Sequence, residues 1–195
     1  MIDRKLERIG HGIDRVRYVI HSHFHLDHVG NMEMLPNATH VVQKVELQHA
    51  WWPEKYFRGA FVLKDFDDTR DFDFMEITGD LDLFGDGCVR IIETPGHTPG
   101  HQSLLVSLPQ TGPVLLMGDA ASSPEQVTGV PPGFTQSLMQ SFASIEKLKR
   151  IRDAEGAQMW ITHDLEQYKR RKHDTAYECT APGFLDTSLS CGGPD

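Results

Sequence analysis

Long hydrophobic runs are absent from this sequence. The longest aliphatic stretch, Val114 to Met117, is far shorter than the ~20 apolar residues that span a bilayer. The first ten residues, MIDRKLERIG, hold no apolar core and no small-residue cleavage pattern, so no secretory signal is visible in them. A cytoplasmic protein without a membrane partner is the expectation. Cysteine is scarce as well. Cys88, Cys179 and Cys191 make an odd count with no CxxC, which suggests neither a disulfide framework nor a cysteine-type zinc site. Basic residues are outnumbered: 19 Lys and Arg stand against 28 Asp and Glu, a formal net charge of -9. Such a chain is a poor general binder of phosphate backbones, so no nucleic-acid partner is expected. Lys147 to Arg150 and Lys169 to Lys172 are short basic clusters that read as solvated helix faces or ends.

What remains is an ordinary globular composition, 39% hydrophobic and 24% charged over 195 residues, which suits one domain. That domain is expected over 1–181. The Gly-, Ser- and Pro-rich end, 182–195, reads as a disordered tail.

Strand-like and helix-like patterns interleave along the chain. Arg17 to Ile20 and Thr39 to Val42 are short β-prone runs. Val29 to Leu35 reads as a short helix stopped by Pro36, and Lys44 to Trp52 as a helix stopped by Pro53. Residues 53–76 mix aromatics with charges at no clear period and read as irregular, a candidate substrate-side loop. Further strands are expected at Asp80 to Phe84, Cys88 to Glu93, Gln102 to Leu108, Val114 to Met117 and Gln158 to Thr162, with Gly- and Pro-bearing turns between them. The clearest helix runs from Ser137 to Glu155. Leu138, Phe142, Ile145, Leu148 and Ile151 mark one face, Ser137 and Gln140 fit a capping box, and Gly156 fits the stop. A short helix is expected through Tyr168. The alternation argues for α/β layers over a covered sheet.

Chemistry concentrates in four places. His23-Phe24-His25-Leu26-Asp27-His28 is an HxHxDH cluster. Three imidazoles and a carboxylate within six residues suit zinc, iron, manganese or cobalt rather than calcium or magnesium. In an extended segment His23 and His25 point the same way. Asp27 and His28 are adjacent and cannot both follow, so the chain must turn and the two pairs can face two different metals. Thr94-Pro95-Gly96-His97-Thr98-Pro99-Gly100-His101 puts a histidine on a Gly/Pro-shaped turn after a strand. Asp119 and His163 each end an apolar strand. A carboxylate leaving such a strand is costly to bury unless paired or metal-bound.

In this order, HFHLDH, TPGHTPGH, GDA and THD resemble the metallo-β-lactamase superfamily. The block TPGHTPGHQSLLV followed by GPVLLMGDA is most similar to the N-acyl homoserine lactonases, and the resemblance runs from about residue 6 to 170. It implies an αββα sandwich with two divalent metal ions, usually zinc. Carried over by position, His23, His25 and His97 hold the first metal. Asp27, His28 and His163 hold the second, and Asp119 bridges them. His101 matches a histidine that is not a ligand in the family and reads as a structural turn residue. The implied reaction is opening of the lactone ring of an N-acyl homoserine lactone by a metal-bound hydroxide, with Asp27 or Asp119 handing a proton to the leaving group. Trp51, Trp52, Phe57 and Phe61 are candidates for lining an acyl-chain pocket, or for ordinary core packing.

Two departures stand out. The family's lactonases carry a tyrosine three residues after the bridging aspartate, where it hydrogen-bonds the substrate carbonyl; this chain has Ser122, a candidate substrate-binding residue too short to reach in the same way. Family members also have several strands ahead of HxHxDH, whereas 22 residues precede His23 here. Part of the first sheet is therefore expected to be missing, with exposed apolar surface, low stability or a homodimer as the consequence. Two other readings share the ligands: a thioester hydrolase of the glyoxalase II type, and a catalytically inactive metal-binding fragment. A nuclease shares the metals but fits the acidic charge poorly.

Overall fold

The computed structural model describes residues 2–170. The tail expected over 182–195, and the end of the domain expected at 181, lie outside the described residues. Two sheets carry the fold. The first has three parallel strands in the order β1 (Tyr18–Ile20), β2 (Thr39–Gln43), β3 (Asp73–Ile77). The second has five, β4 (Leu81–Asp82), β5 (Val89–Glu93), β6 (Gln102–Leu108), β7 (Gly112–Leu116) and β8 (Gln158–Trp160), in chain order. They are antiparallel except for β7 and β8. That last pair is parallel because a helix lies between them, and a parallel partner needs a long crossover.

Of the helices α1 (Ile2–Arg8), α2 (Leu26–Val29), α3 (Lys44–Trp51), α4 (Pro124–Val127), α5 (Leu138–Glu155) and α6 (Leu165–Arg170), α3 and α5 cover the sheets. Val42 of β2 and Ala50 of α3 share one core with Phe24, Val29, Met32, Phe61 and Phe66. Ile92, Leu105 and Leu115 of the second sheet pack with Ile145 and Leu148 of α5 in the other. The sheets meet through buried amides: Gln43 Nε2 donates to Gln102 Oε1 at 3.0 Å, and Gln102 Nε2 donates to the His21 carbonyl at 2.8 Å. The result is the expected αββα sandwich.

The long helix is capped as its sequence implies. Ser137 Oγ accepts from the Gln140 amide at 3.4 Å, and Gly156 closes the helix in the left-handed region at φ 63°. Its buried face differs from the expected one. Ser141, Ser144, Ile145 and Leu148 are buried, while Leu138 is exposed. The N-terminal half of α5 lies against the 94–100 loop, where a Cβ on Gly96 would sit 2.4 Å from the Ser141 amide. Only small side chains fit so close an approach.

The irregular segment is shorter than its sequence suggests. Residues 73–77 form β3, a strand paired along its whole length with β2, although Asp73 and Glu76 interrupt its apolar residues. The helix expected over Val29 to Leu35 is α2 followed by a single 3-10 turn at Met32–Met34.

The first sheet is small, and β1 forms its edge. Register places Leu104, Leu116 and Trp160 side by side on the face of the second sheet opposite α5. With Ile20 and Ser22 they line a groove of about 360 Å³. Leu116 and Tyr18 are partly exposed there and at the edge strand.

Candidate metal centre

Every ligand candidate leaves the end of an element. The chain continues β1 through the His21 amide, which donates to the Val41 carbonyl at 3.0 Å, and so carries His23 and His25 out in extended form. His25 is the N-cap of α2. The helical turn begins at Leu26, which redirects Asp27 and His28 as the sequence requires. His97 stands in the loop between β5 and β6. Asp119 sits in the 3-10 turn Gly118–Ala120 after β7, and His163 follows β8. Gly118 adopts φ 55°, and a Cβ on it would meet His101 Nε2 at 2.7 Å. A side chain is excluded both by conformation and by space.

These seven side chains converge. His23, His25 and His97 form one cluster, His23, His28 and Asp119 a second, and Asp27, His28 and His163 a third, with ligand atoms within 4.8 Å of one another in each. Asp119 touches all sides. Its Oδ1 lies 3.5 Å from His28 Nε2, and its Oδ2 lies 3.5 Å from His97 Nε2 and 3.3 Å from His163 Nε2. Asp27 Oδ2 is 3.6 Å from His28 Nε2 and 3.9 Å from His163 Nε2.

The buried imidazoles are held neutral. Burial, with the neighbouring histidines, pushes His23 well below its ordinary pKa and His25 down to about 3. Burial also lowers His97, against the pull of Asp119. Tautomers follow from fixed partners. The Phe134 carbonyl only accepts, so His97 Nδ1 carries the hydrogen of their 3.0 Å bond and leaves an Nε2 lone pair facing His25 Nδ1 at 2.9 Å. Ser22 Oγ lies 3.1 Å from His23 Nδ1 and 3.4 Å from His28 Nδ1.

The donor set fits a divalent ion. Of the five buried side-chain polar atoms without a hydrogen-bond partner among the described residues, four are His23 Nε2, His25 Nε2, His28 Nε2 and Asp119 Oδ1. Unpartnered buried polar atoms are costly in water-free surroundings, and clustered nitrogen and oxygen lone pairs are what such an ion takes.

A cleft of about 340 Å³ opens over this cluster, walled by Leu26, Ala60, Ser122, Gln126, Pro132 and Phe134 together with the ligand side chains. Ser122 is therefore in the cleft wall, where its amide donates to Gln126 Oε1 at 2.7 Å. The aromatic candidates divide. Phe61 is buried with its ring 4.7 Å from that of His25, and Trp51 packs on Phe66 beneath the Arg70 guanidinium. Trp52 is exposed, and none of the four lines the cleft. Phe134, from the Pro/Gly-rich loop, takes that place.

Three further residues support the site: the sequence singled out His101 only as a structural turn residue, and did not single out Ser22 or Glu46. His101 is wholly buried; its Nε2 accepts the Asp119 amide at 2.9 Å, and its Nδ1 reaches Thr94 Oγ1 at 2.8 Å. It sets the Asp119 turn rather than merely shaping its own. Ser22 spans two imidazoles. Glu46 is buried and accepts three hydrogen bonds; burial raises its carboxyl to about 7 against those bonds.

The metallo-beta-lactamase superfamily pattern matches residues 1–155, and the chain belongs to that superfamily. Within it, similarity runs to lactonases. The N-acyl homoserine lactonase AttM of Azorhizobium caulinodans is 39% identical over 184 residues, 90% of this chain and 66% of that protein. The N-acyl homoserine lactonase AiiA of Bacillus thuringiensis subsp. kurstaki is 33% identical over 166 residues, 84% and 62% of the two chains. Among solved structures, an N-acyl homoserine lactone hydrolase with the product N-hexanoyl-L-homoserine at its catalytic metal centre superimposes with a TM-score of 0.75 at 31% identity, over 88% of this chain and 65% of that one. The chain thus spans just under two thirds of the length of these relatives. Among the described residues no helix is long and apolar enough to cross a membrane.

Proposed function

We propose that this chain is a metal-dependent hydrolase that opens the lactone ring of N-acyl homoserine lactones. The observation that carries the reading is the convergence of seven His and Asp side chains, several with unpartnered buried lone pairs; His25, Asp27, His97, Asp119 and His163 among them line an open cleft. His23, His25 and His97 would hold one divalent ion and Asp27, His28 and His163 a second, with Asp119 within reach of both; zinc would suit the donor set. When bound, such ions supply Lewis acidity and lower the pKa of water so that a nucleophile is available near neutral pH.

The chain's own groups divide the remaining work. Leu26, Ala60, Pro132 and Phe134 give the acyl chain an apolar wall. Asp119 is buried among three imidazoles, and its geometry suits orienting rather than exchanging protons with solvent. Asp27 is half exposed at the cleft, so it can take a proton and hand it to the ring oxygen as the acyl C–O bond breaks. Water adds its oxygen to the acyl carbon, and the product is the ring-opened hydroxy acid. Ser122 and Gln126 lie where the carbonyl end of a substrate would sit.

The test joins elemental analysis with hydrolysis of a long-chain acyl homoserine lactone, with and without chelator. About two metals per chain and chelator-sensitive ring opening are expected. Faster cleavage of a thioester than of the lactone would overturn the substrate class, and metal-loaded protein that turns over neither would leave an inactive metal-binding chain.

A further inference from the structure

We propose that Glu46 is a positioning residue for the buried half of the metal centre: its carboxylate clamps the His23–His25 segment to the His97 loop and so sets the spacing of their imidazoles. The proposal rests on the metal-centre reading above and goes beyond it, because Glu46 is neither a ligand candidate nor part of the cleft wall.

Glu46 is the third residue of α3 and is completely buried. A glutamate at that position ordinarily folds back onto the N-cap of its own helix, or faces solvent. Here it does neither. Its Oε1 accepts the amide of Phe24 at 2.9 Å, the residue between His23 and His25. Its Oε2 accepts the hydroxyl of Thr98 at 2.6 Å and the amide of Gly100 at 3.0 Å, just past His97. One carboxylate thus bonds to both ligand-bearing segments, at Phe24 and Thr98 next to a ligand candidate and at Gly100 three residues past His97.

The approach is tight. A Cβ on Gly100 would lie 2.4 Å from the Glu46 amide and 2.5 Å from its Cβ, so the loop rests directly on the first turn of α3. All three donors are neutral and all three point at oxygens that can only accept when ionised. Neighbouring Gln43 ties the same helix start to Gly79 and to Gln102, at 2.9 Å and 3.0 Å. The turn that presents Glu46 is therefore fixed on both sheets. A metal centre needs its donors held to within about 0.5 Å. Two loops from different sheets keep that precision only if rigid contacts join them; beside the Gln102 bond to the His21 carbonyl, Glu46 joins the two ligand-bearing segments themselves.

The experiment compares wild type, Glu46→Gln and Thr98→Val. Glutamine keeps the shape but replaces one acceptor oxygen by a donor that faces an N–H or O–H. Valine keeps the bulk of Thr98 and removes one donor. Three readouts separate positioning from bulk stability: affinity for zinc by chelator competition, the visible spectrum of the cobalt(II)-loaded protein, and hydrogen exchange at the Phe24 and Gly100 amides in metal-free protein. Glu46→Gln is expected to lose about 10- to 100-fold in metal affinity, to change the cobalt spectrum, and to lose protection at both amides. Thr98→Val is expected to lose less in affinity and to keep Phe24 protected. If Glu46→Gln does not fold, Thr98→Val decides the matter by the same readouts. A folded Glu46→Gln protein with wild-type affinity and spectrum overturns the clamp alone, whereas a wild type that binds no metal overturns the metal-centre reading beneath it.

Discussion

The two halves of the site are built differently. His23, His25 and His97 are buried, and their rings are kept neutral by desolvation. Asp27 and His163 are 54% and 45% exposed and stand at the mouth of the cleft. A buried triad has already lost its water, so its lone pairs are set before an ion arrives and little reorganises on binding. An open triad keeps its hydration and its side-chain freedom. The contrast predicts a division of labour under the proposed function: the buried half would hold, while the open half would exchange with solvent, receive substrate and move protons.

The largest effect is expected where the two halves join. Asp119 is the side chain that reaches His97, His28 and His163 together. In Asp119→Ala the distinction between the halves should vanish, with metal content falling below one ion per chain. Turnover should drop about 10³-fold or more, since several kcal/mol of transition-state stabilisation go with the ions. A variant that keeps two ions and near-normal turnover breaks the comparison outright.

Single-ligand variants sharpen it. His97→Ala opens the buried half and strands the Phe134 carbonyl, whereas His163→Ala removes a half-exposed ligand. Both should lose about 10²-fold or more in turnover. They should differ in stoichiometry after dialysis: His163→Ala is expected to retain about one ion, and His97→Ala less. Equal retention in the two would mean that burial does not set affinity here.

The convergence of the ligand candidates was legible in the sequence because they lie in four short motifs, each at a strand end. His23, His25 and Asp27 needed only alternation and a forced turn to be placed, and α5 showed its cap and its stop. What was hidden was long-range. Glu46 looks like any glutamate in the first turn of a helix, and only folding brings it to Phe24 and Gly100, 22 and 54 residues away. His101 sits beside a motif yet works on Asp119, which approaches it across the β6–β7 pair. Ser141 and Ser144 lie outside the apolar stripe marked in the sequence, although they are the buried contact with the 94–100 loop. β3 was hidden because Asp73 and Glu76, residue types with low strand propensity, break up its short apolar content on a half-exposed edge.

A gain-of-function change probes the open half. Ser122 lines the cleft beside Gln126, at the position where the resemblance to lactonases implies a carbonyl-binding tyrosine. Ser122→Tyr should raise kcat/KM for acyl homoserine lactones by about 10-fold, within the range that one oxyanion donor contributes. Metal content should not change. A fall in turnover with metal retained would show that the carbonyl of the substrate sits elsewhere in the cleft.

The smallest effect concerns what lies beneath the buried half. His40 Nε2 lies 3.0 Å from the Leu35 carbonyl, so it must donate there, and its Nδ1 then accepts from His21 Nε2 at 2.8 Å. Both rings are neutral in this arrangement. Burial first, and the neighbouring His40 second, bring His21 down to about 3 from the ordinary 6.5. The unfolded chain therefore takes up a proton near pH 6.5 that the folded chain refuses until about pH 3. Stability of the metal-free protein should be full above pH 6.5, fall as pH drops through that window, and level off below it. His21→Gln keeps an amide donor for His40 without the titration. Its urea-unfolding free energy should vary less between pH 6 and 4 than that of the wild type. An unchanged slope would place the acid sensitivity outside this pair and so remove one reason for treating the buried half as the rigid one.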